Sequence, residues 1–174
     1  MREVNLKILE TERLILRQFV EEDAEFILEL LNDPSFIHNI GDRKIRSLDG
    51  AKVYIRNGPA ASYAQHGFGL YLVELKTTGE SIGMCGLIQR ENLENVDIGY
   101  AFLPRFWSRG YAVESATAVR DYARDVIGLK RLVGITNPDN FPSIGVLEKL
   151  GMKFEKMIRL SDEDIELSLF GVDF

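Results

Sequence analysis

The chain has 174 residues and a net charge of −6, and its composition, 45% hydrophobic and 28% charged, is that of an ordinary globular domain. The acidic balance excludes the basic surface that nucleic-acid binding requires. No apolar run is long enough to predict a membrane span, and the N-terminus lacks the pattern of a signal peptide.

The cysteine content limits the kinds of covalent cross-link and metal site that the chain can form. Cys85 is the single cysteine, which excludes an internal disulfide and a cysteine–histidine metal site. Its apolar neighbours favour a small buried residue. We therefore expect a cytoplasmic protein with no metal and no membrane or nucleic-acid partner. It should fold as one domain over residues 1–174, with its core at about 9–172.

The hydrophobic periodicity predicts seven strands and four helices. The strands are expected at 13–19, 69–75, 80–88, 96–103, 131–136, 154–160 and 166–172. The helices are expected at 22–31, 47–55, 112–127 and 143–150. Helices alternate with strands, but three strands follow one another directly, so the order favours a mixed sheet. The strand–helix–strand unit from 96 to 136 should be parallel and right-handed.

One turn combines the features of an anion site, because it joins a predicted strand to the start of the longest predicted helix. Free main-chain N–H groups and the helix dipole favour a negative charge there, and a pyrophosphate would suit the position. Gly110 allows close approach of a ligand, and Arg109 adds a positive charge. The alternative is a plain strand-to-helix turn. The residues of this turn are Trp107, Ser108, Arg109, Gly110, Tyr111 and Ala112.

Four stretches match the motifs of one enzyme family in the right order and spacing. They are 11–17 (TERLILR), 97–100 (DIGY), 107–114 (WSRGYAVE), and 140–143 (NFPS) followed by 147–152 (LEKLGM). On these residues the chain resembles the GCN5-related N-acetyltransferases (GNAT). Within that family it resembles the RimJ/RimL-like branch of ribosomal-protein N-terminal acetyltransferases. The resemblance covers nearly the whole chain.

The resemblance implies an α/β fold with a single twisted mixed sheet of about seven mostly antiparallel strands. The fourth and fifth strands would form a parallel, splayed pair, and about four helices would flank the sheet. The implied reaction transfers an acetyl group from acetyl-CoA to a primary amine by direct attack on the thioester. That amine would be a protein N-terminal α-amine or a small molecule, and the protein a monomer or homodimer.

The resemblance also assigns the cofactor-binding residues. All six residues of the turn from Trp107 to Ala112 would hold the pyrophosphate, chiefly through main-chain N–H groups. Trp107 stands where the general family pattern has glutamine or arginine. Main-chain groups of Tyr100, Ala101 and Phe102 would bind the pantetheine arm and polarise the thioester, with a bulge near Gly99.

Asp97 is the first candidate for the general base, acting directly or through water, with Glu94 as a weaker alternative. Gly99 and Ala101 share the face of Asp97 by the two-residue period, which leaves room for a ligand. The competing interpretation of Asp97 is a surface residue at the start of a strand.

The last motif supplies Asn140 and Ser143. By resemblance Asn140 contacts the pantetheine region, and Ser143 could protonate the leaving thiolate. Capping of the last helix is the alternative role for both residues. Leu147 stands where many family members carry a tyrosine that acts as general acid. A CoA-binding regulatory module without catalysis, or a small-molecule binding domain without CoA, therefore stays open.

The acceptor is expected beside the two N-terminal helices, where the family builds that site. His38 and His66 could reach it, although a solvated loop position is the commoner role for such histidines. Four aromatic residues of this region are assigned to the core, with some of them able to line the acceptor slot. They are Phe36, Tyr63, Phe68 and Tyr71.

Overall fold

A computed structural model describes residues 6–162 and 164–174 of the protein. Eight strands form one sheet in the order β1-β2-β3-β4-β5-β6-β8-β7. The pair β5–β6 is parallel and the other neighbours are antiparallel. The strands are β1 (Lys7–Glu10), β2 (Leu14–Arg17), β3 (Leu70–Leu75), β4 (Ser81–Ile88), β5 (Asp97–Phe102), β6 (Arg131–Thr136), β7 (Lys153–Ile158) and β8 (Leu167–Asp173).

The predicted mixed sheet is confirmed, with one strand more than the seven expected. The additional strand, β1, has four residues, which is too short to display a two-residue period in the sequence. It pairs with β2 through Leu9 opposite Leu16. The predicted fourth and fifth strands are therefore β5 and β6, and they form the parallel pair that the resemblance implies.

Six α-helices accompany the sheet among the described residues. They are α1 (Ala24–Asn32), α2 (Pro34–Asn39), α3 (Leu48–Ile55), α4 (Ala61–His66), α5 (Tyr111–Tyr122) and α6 (Phe141–Lys149). A five-residue π-helical turn, Arg56–Ala60, joins α3 to α4, and another, Ala123–Ile127, extends α5 to Gly128.

The two helices missed by the sequence analysis, α2 and α4, begin at or after a proline. Pro34 follows the end of α1 and occupies the first turn of α2, where a missing N–H costs nothing. Asp33 caps α2 by accepting a hydrogen bond from the N–H of Ser35. Gly58 and Pro59 do not end the helical segment, because the wider π turn accommodates both residues before α4 begins.

The core lies between the sheet and the helices. Side chains from β2, β4 and β6 are almost fully buried and pack into one cluster with residues of α1, α3 and α5. Burying one such aliphatic side chain stabilises the fold by about 2 kcal/mol. Representative members of this cluster are Leu14, Leu16, Ile27, Ile55, Ile82, Leu87, Val119 and Leu132.

The hairpin of β3 and β4 depends on a close approach of two main chains. A Cβ atom on Gly86 would lie 2.1 Å from the carbonyl oxygen of Gly69. That oxygen accepts a hydrogen bond from the N–H of Leu87, so it cannot move away without breaking the ladder. Glycine at position 86 is therefore required by the packing of β3 on β4.

We predict that Gly86→Ala lowers the free energy of unfolding by about 3 kcal/mol, since the added methyl group overlaps main-chain atoms. Gly145→Ala is the control, because a Cβ atom there, within α6, has no neighbouring atom within 4 Å. That substitution should stabilise the protein by about 0.5–1 kcal/mol through helix propensity. Urea unfolding followed by circular dichroism measures both, and an unchanged midpoint for Gly86→Ala would contradict the packing argument.

Candidate functional site

The site is built around a gap between β5 and β6. Among the described residues the two strands share one register position, Asp97 opposite Val133. There the N–H of Val133 donates to the carbonyl oxygen of Val96 at 3.1 Å. On its other edge β5 pairs with β4 at six consecutive positions. The strand is thus fully paired on one edge and open along most of the other.

The ladder fixes which main-chain groups of β5 face the gap. Leu103 donates to the carbonyl oxygen of Ile82 on β4 at 3.0 Å, and main-chain groups alternate direction along a strand. The groups of Asp97, Gly99 and Ala101 therefore face β4. Those of Tyr100 and Phe102 face the gap. Such groups need partners when they are buried, so the gap suits an extended ligand with amide groups.

Two expectations about β5 change in the structure. The register from Gly83 opposite Phe102 to Ile88 opposite Asp97 is continuous, so the expected bulge near Gly99 is wrong. The carbonyl oxygen of Phe102 already accepts a hydrogen bond from the indole Nε1 of Trp107 at 2.8 Å. Trp107 therefore holds the end of β5 against the following turn.

The turn after β5 delivers the chain into α5 without a capping side chain. A 3-10 turn, Pro104–Phe106, is followed by two residues of left-handed conformation, Ser108 at φ 60° and Gly110 at φ 81°. Gly110 occupies the N-cap position of α5, and the first helical hydrogen bond runs from the N–H of Glu114 to its carbonyl oxygen. The N–H groups of the three intervening residues therefore have no partner within the helix.

Three of the other helices show the contrast, whereas α1 and α4 also lack a capping side chain but continue directly from a 3-10 turn and a π turn. α2, α3 and α6 each begin with a side chain that accepts a main-chain hydrogen bond, from Asp33, Ser47 and Asn140 respectively. α5 is the longest of the six helices, and its first turn is open beside the gap. An uncapped helix N-terminus of this kind binds anions through N–H groups and the helix dipole.

Arg13, which directly precedes β2, and Glu114, in the first turn of α5, hold the turn in place. Arg13 donates to the carbonyl oxygen of Arg109 at 2.9 Å and from Nε to the carboxylate of Glu114 at 2.7 Å. Its guanidinium group also lies 4.5 Å from the ring centroid of Tyr111. Glu114 further accepts a hydrogen bond from Thr11. The sequence analysis missed this role of Glu114, although both partners lie in stretches that it had singled out.

Asp97 is a buried residue and not the surface aspartate of the competing interpretation. Its exposed fraction is 1%, and its Oδ1 accepts a hydrogen bond from Nε of Arg90 at 3.1 Å. Burial raises the pKa of the Asp97 carboxyl to about 6, and the charge and hydrogen bond of Arg90 oppose that rise. A carboxylate with this pKa is suited to accept a proton near neutral pH.

Tyr100 and Ser143 meet on the opposite side of β5. The hydroxyl oxygens of Tyr100 and Ser143 are 2.8 Å apart, and Tyr100 also donates to the carbonyl oxygen of Ser143. This contact joins β5 to the first turn of α6. The sequence analysis considered only the main chain of Tyr100, but the two-residue period already placed its side chain opposite Asp97.

Asn140 and Leu147 have structural roles in α6. Oδ1 of Asn140 accepts a hydrogen bond from the N–H of Ser143 at 3.3 Å, so Asn140 caps the helix. Leu147 is 1% exposed, and its Cδ2 would lie 2.6 Å from a Cβ atom on Gly134 of β6. The position at which many family members carry a tyrosine is therefore filled here by a core residue.

An open cleft with a volume of about 450 Å³ lies on the face of the sheet that carries Asp97. Residues of α3, the following π turn and α4 form one wall, and the adjoining parts of β3 and β4 form the other. A Cβ atom on Gly99 would lie 2.8 Å from Cδ1 of Ile88 and 3.3 Å from Cδ2 of Leu70, which both line the cleft. Gly99 therefore borders it from β5.

The histidines and aromatic residues divide between this cleft and the core. His66, at the end of α4, lines the cleft, whereas His38 is exposed at the end of α2. Tyr63 is partly buried, and its hydroxyl accepts a hydrogen bond from the N–H of Phe19. The remaining aromatic residues, Phe36, Phe68 and Tyr71, belong to the core. Cys85 is also buried there.

The described part of the chain has neither a membrane-spanning helix nor a cluster of metal-binding side chains. In residues 6–162 and 164–174, no helix is both long and apolar enough to cross a membrane. The same residues contain no group of three or more histidine, cysteine, aspartate or glutamate side chains placed to hold a metal ion.

Comparison with known proteins identifies relatives over most of the chain. The acetyltransferase (GNAT) domain family matches residues 13–153. The chain is 34% identical to the Bacillus subtilis protein YkkB over 154 residues, 87% of this chain and 88% of that protein. It is 32% identical to the N-acetyltransferase YoaA of the same organism, over 87% of this chain and 86% of that one.

Solved structures share the fold. An acetyltransferase from Agrobacterium tumefaciens superimposes with a TM-score of 0.82 and 25% identity over 100% of this chain and 99% of that one. RimL, a ribosomal L7/L12 alpha-N-protein acetyltransferase in complex with coenzyme A, superimposes with a TM-score of 0.80 and 19% identity over 96% and 97% of the two chains. The chain belongs to the GNAT acetyltransferase family, and it is an acetyl-CoA-dependent acyltransferase.

Proposed function

We propose that this protein transfers the acetyl group of acetyl-CoA to a primary amine bound in the cleft beside Asp97. The observation that carries the proposal is the uncapped N-terminus of α5 at the mouth of the gap between β5 and β6. A pyrophosphate group fits the uncapped N-terminus of α5, and an extended amide-containing arm fits the gap between β5 and β6. We further propose that the protein belongs to the RimJ/RimL-like branch, which the four sequence motifs and the fold shared with RimL support.

The turn from Trp107 to Ala112 would hold the pyrophosphate through main-chain N–H groups of the first turn of α5. Gly110 supplies the left-handed conformation at φ 81°, and Ser108 adopts the same region at φ 60°. The side chain of Arg109 is exposed and adds a positive charge, while its carbonyl oxygen is held by Arg13. Binding at this site thus depends on the main-chain geometry more than on one side chain.

The arm of the cosubstrate would lie along the open edge of β5. Main-chain groups of Tyr100 face that edge, whereas those of Ala101 face β4, so Ala101 would contribute only its small side chain. The carbonyl oxygen of Phe102 is taken by Trp107, which leaves the N–H of Phe102 for the ligand. Asn140 and Ser143 would contact the arm from the first turn of α6, where the hydroxyl of Ser143 lies 2.8 Å from that of Tyr100 on β5.

The reaction forms a bond between the amine nitrogen and the acyl carbon, and it breaks the bond from that carbon to sulfur. The nitrogen loses a proton, and the thiolate gains one. Asp97 would take the first proton through a water molecule, because Arg90 stands between its carboxylate and the cleft. Ser143 would supply the second, with Tyr100 hydrogen-bonded behind it. Main-chain N–H groups at the gap would stabilise the charge that develops on the carbonyl oxygen.

We predict that Gly110→Asp abolishes acetyl-CoA binding, because its negative charge at the N-terminus of α5 would repel the pyrophosphate, while its β-carbon would lie 3.3 Å from a guanidinium nitrogen of Arg13. Gly128→Asp is a matched control, since Gly128 has the same φ of 81° at the other end of the same helical segment. Both variants carry similar main-chain strain, so their stabilities should fall together. Isothermal titration calorimetry should show wild-type binding for Gly128→Asp and none for Gly110→Asp. Normal binding by Gly110→Asp would show that the site is wrongly placed.

Asp97→Asn should lower kcat by about 10²-fold or more in an assay of CoA release, since it removes the proton acceptor. The wild-type rate should fall as the pH drops below about 6, where Asp97 becomes protonated, and the variant should lack this limb. Full activity of Asp97→Asn across the pH range would exclude Asp97 as the base.

The raised pKa of Asp97 can also be tested through the pH dependence of the free energy of unfolding, again with Asp97→Asn. Between the ordinary aspartate value and a pKa of about 6, the folded wild type holds a proton that the unfolded chain has lost. Its free energy of unfolding therefore falls as the pH rises through this window, by about 3 kcal/mol from this group. Asp97→Asn should show a correspondingly smaller decrease in urea unfolding between pH 4 and about 6.

Ser143→Ala should lower kcat only about tenfold, because a thiolate with a conjugate-acid pKa of about 8.5 leaves readily without protonation. Tyr100→Phe removes the same hydrogen bond but keeps the Ser143 hydroxyl, so its effect should be smaller. Acetyl-CoA affinity by calorimetry should change little in either variant. An unchanged kcat for Ser143→Ala would remove Ser143 from the mechanism. Tight acetyl-CoA binding with no turnover of any acceptor would favour a CoA-binding module without catalysis.

A further inference from the structure

The charge of the cleft is opposite to that of the chain. The whole sequence carries 27 acidic and 21 basic residues, whereas the 14 described residues that line the cleft include two arginines and no aspartate or glutamate. The other polar side chains there are three uncharged amides and the two hydroxyl groups of Tyr54 and Ser62, together with His66. A cation would therefore find no counter-charge on the walls of this cleft.

The two arginines, Arg43 and Arg90, converge on one wall. Both lie close enough to Tyr54 to oppose the rise in pKa that burial imposes on its phenol. Arg90 donates from Nε to the buried Asp97, and its guanidinium group borders the cleft. Arg43 makes no ion pair with any described residue. Its charge is therefore available to a ligand.

The π turn between α3 and α4 adds a second observation at the same place. Asn57, Gly58 and Pro59 of this turn line the cleft directly opposite the sheet residues. Single π turns within helices recur at functional sites, because the wider turn displaces the main chain from regular packing. The cleft volume of about 450 Å³ is within the range of small-molecule sites.

We infer that the acceptor is a primary amine that also carries a carboxylate group, which Arg43 and Arg90 bind while the amine lies toward Asp97. This inference rests on the proposed function, because it assigns the acceptor to the same cleft. Guanidinium groups bind carboxylate and phosphate through paired charge-assisted hydrogen bonds. Polyamines and other polycationic acceptors lack the group that these arginines recognise.

The anionic amine has two chemical sources, a small amino acid and the N-terminus of an acidic peptide. Two matched pairs of acceptors separate them. The small pair is β-alanine and β-alaninamide, and the peptide pair is Ala-Asp-Asp-amide and Ala-Asn-Asn-amide. A diamine serves as the cationic acceptor. The members of a pair differ in one property, the negative charge, once rates are corrected for the fraction of neutral amine.

The wild-type protein should acetylate the anionic member of at least one pair with a kcat/KM about tenfold or more above that of its amide. Arg43→Gln should remove this preference while leaving acetyl-CoA affinity and the rate with the neutral acceptor unchanged. Arg43→Lys should keep part of the preference. Arg124→Gln is the matched control, because Arg124 is exposed in the turn after α5 and pairs with Asp125.

The possible failures are distinguishable. Turnover of the neutral and anionic members at equal rates would overturn the inference and leave the proposed function intact. Absence of turnover with every acceptor would count against catalysis. In that case calorimetric binding of the same two peptides to the CoA-saturated protein still decides the inference. Equal affinities, or an acidic-peptide preference that survives Arg43→Gln, would contradict it.

Discussion

β5 and β6 share one register position, Asp97 opposite Val133, and then separate. Every main-chain polar group within a sheet needs a partner, so the separation creates a row of donors and acceptors on the open edge of β5. The same geometry positions the N-terminus of α5, because the turn that leaves β5 must pass the mouth of the gap. The proposed pyrophosphate and pantetheine sites are thus two consequences of one divergence between neighbouring strands.

The proposed site is held in place by contacts both from outside it and within it. Arg13 and Glu114 join β2 to the first turn of α5 through hydrogen bonds, an ion pair and a cation–π contact. Trp107 fixes the end of β5 by donating to the carbonyl oxygen of Phe102. Ser108 is held in a left-handed conformation that non-glycine residues rarely adopt. A binding turn made of main-chain groups needs such support, since its geometry is its only means of recognition.

The groups proposed to transfer protons lie on opposite faces of β5. Asp97 lies toward the cleft and is buried behind Arg90, so its carboxyl titrates closer to neutrality than a solvated aspartate. Tyr100 lies on the opposite face and meets Ser143 of α6. A strand whose side chains alternate between faces can therefore supply a proton acceptor on one side and hydroxyl groups on the other, with the main chain between them.

The sequence alone determined the type of nearly every long element, because those elements have clear hydrophobic periods and strong boundary residues. Examples of such boundary residues are Ser47, which caps α3, and Gly128, which ends the helical segment that begins with α5. The sequence also located the turn that joins β5 to α5, since Gly110 between a strand and a helix is a local signal. It missed β1, α2 and α4, which are too short to display a period or lie next to prolines.

Only the tertiary structure decided how distant residues meet. The sequence gives no sign that Glu114 binds Arg13 and Thr11, which lie about a hundred positions earlier in the chain. No sequence motif links Arg43 to Arg90. Only the packing of α3 and α4 against β3 and β4 brings the two residues to one cleft. The burial of Asp97 also depends on neighbours from several elements. Local periodicity specifies elements, but contacts between elements and the resulting local charge depend on the packed fold.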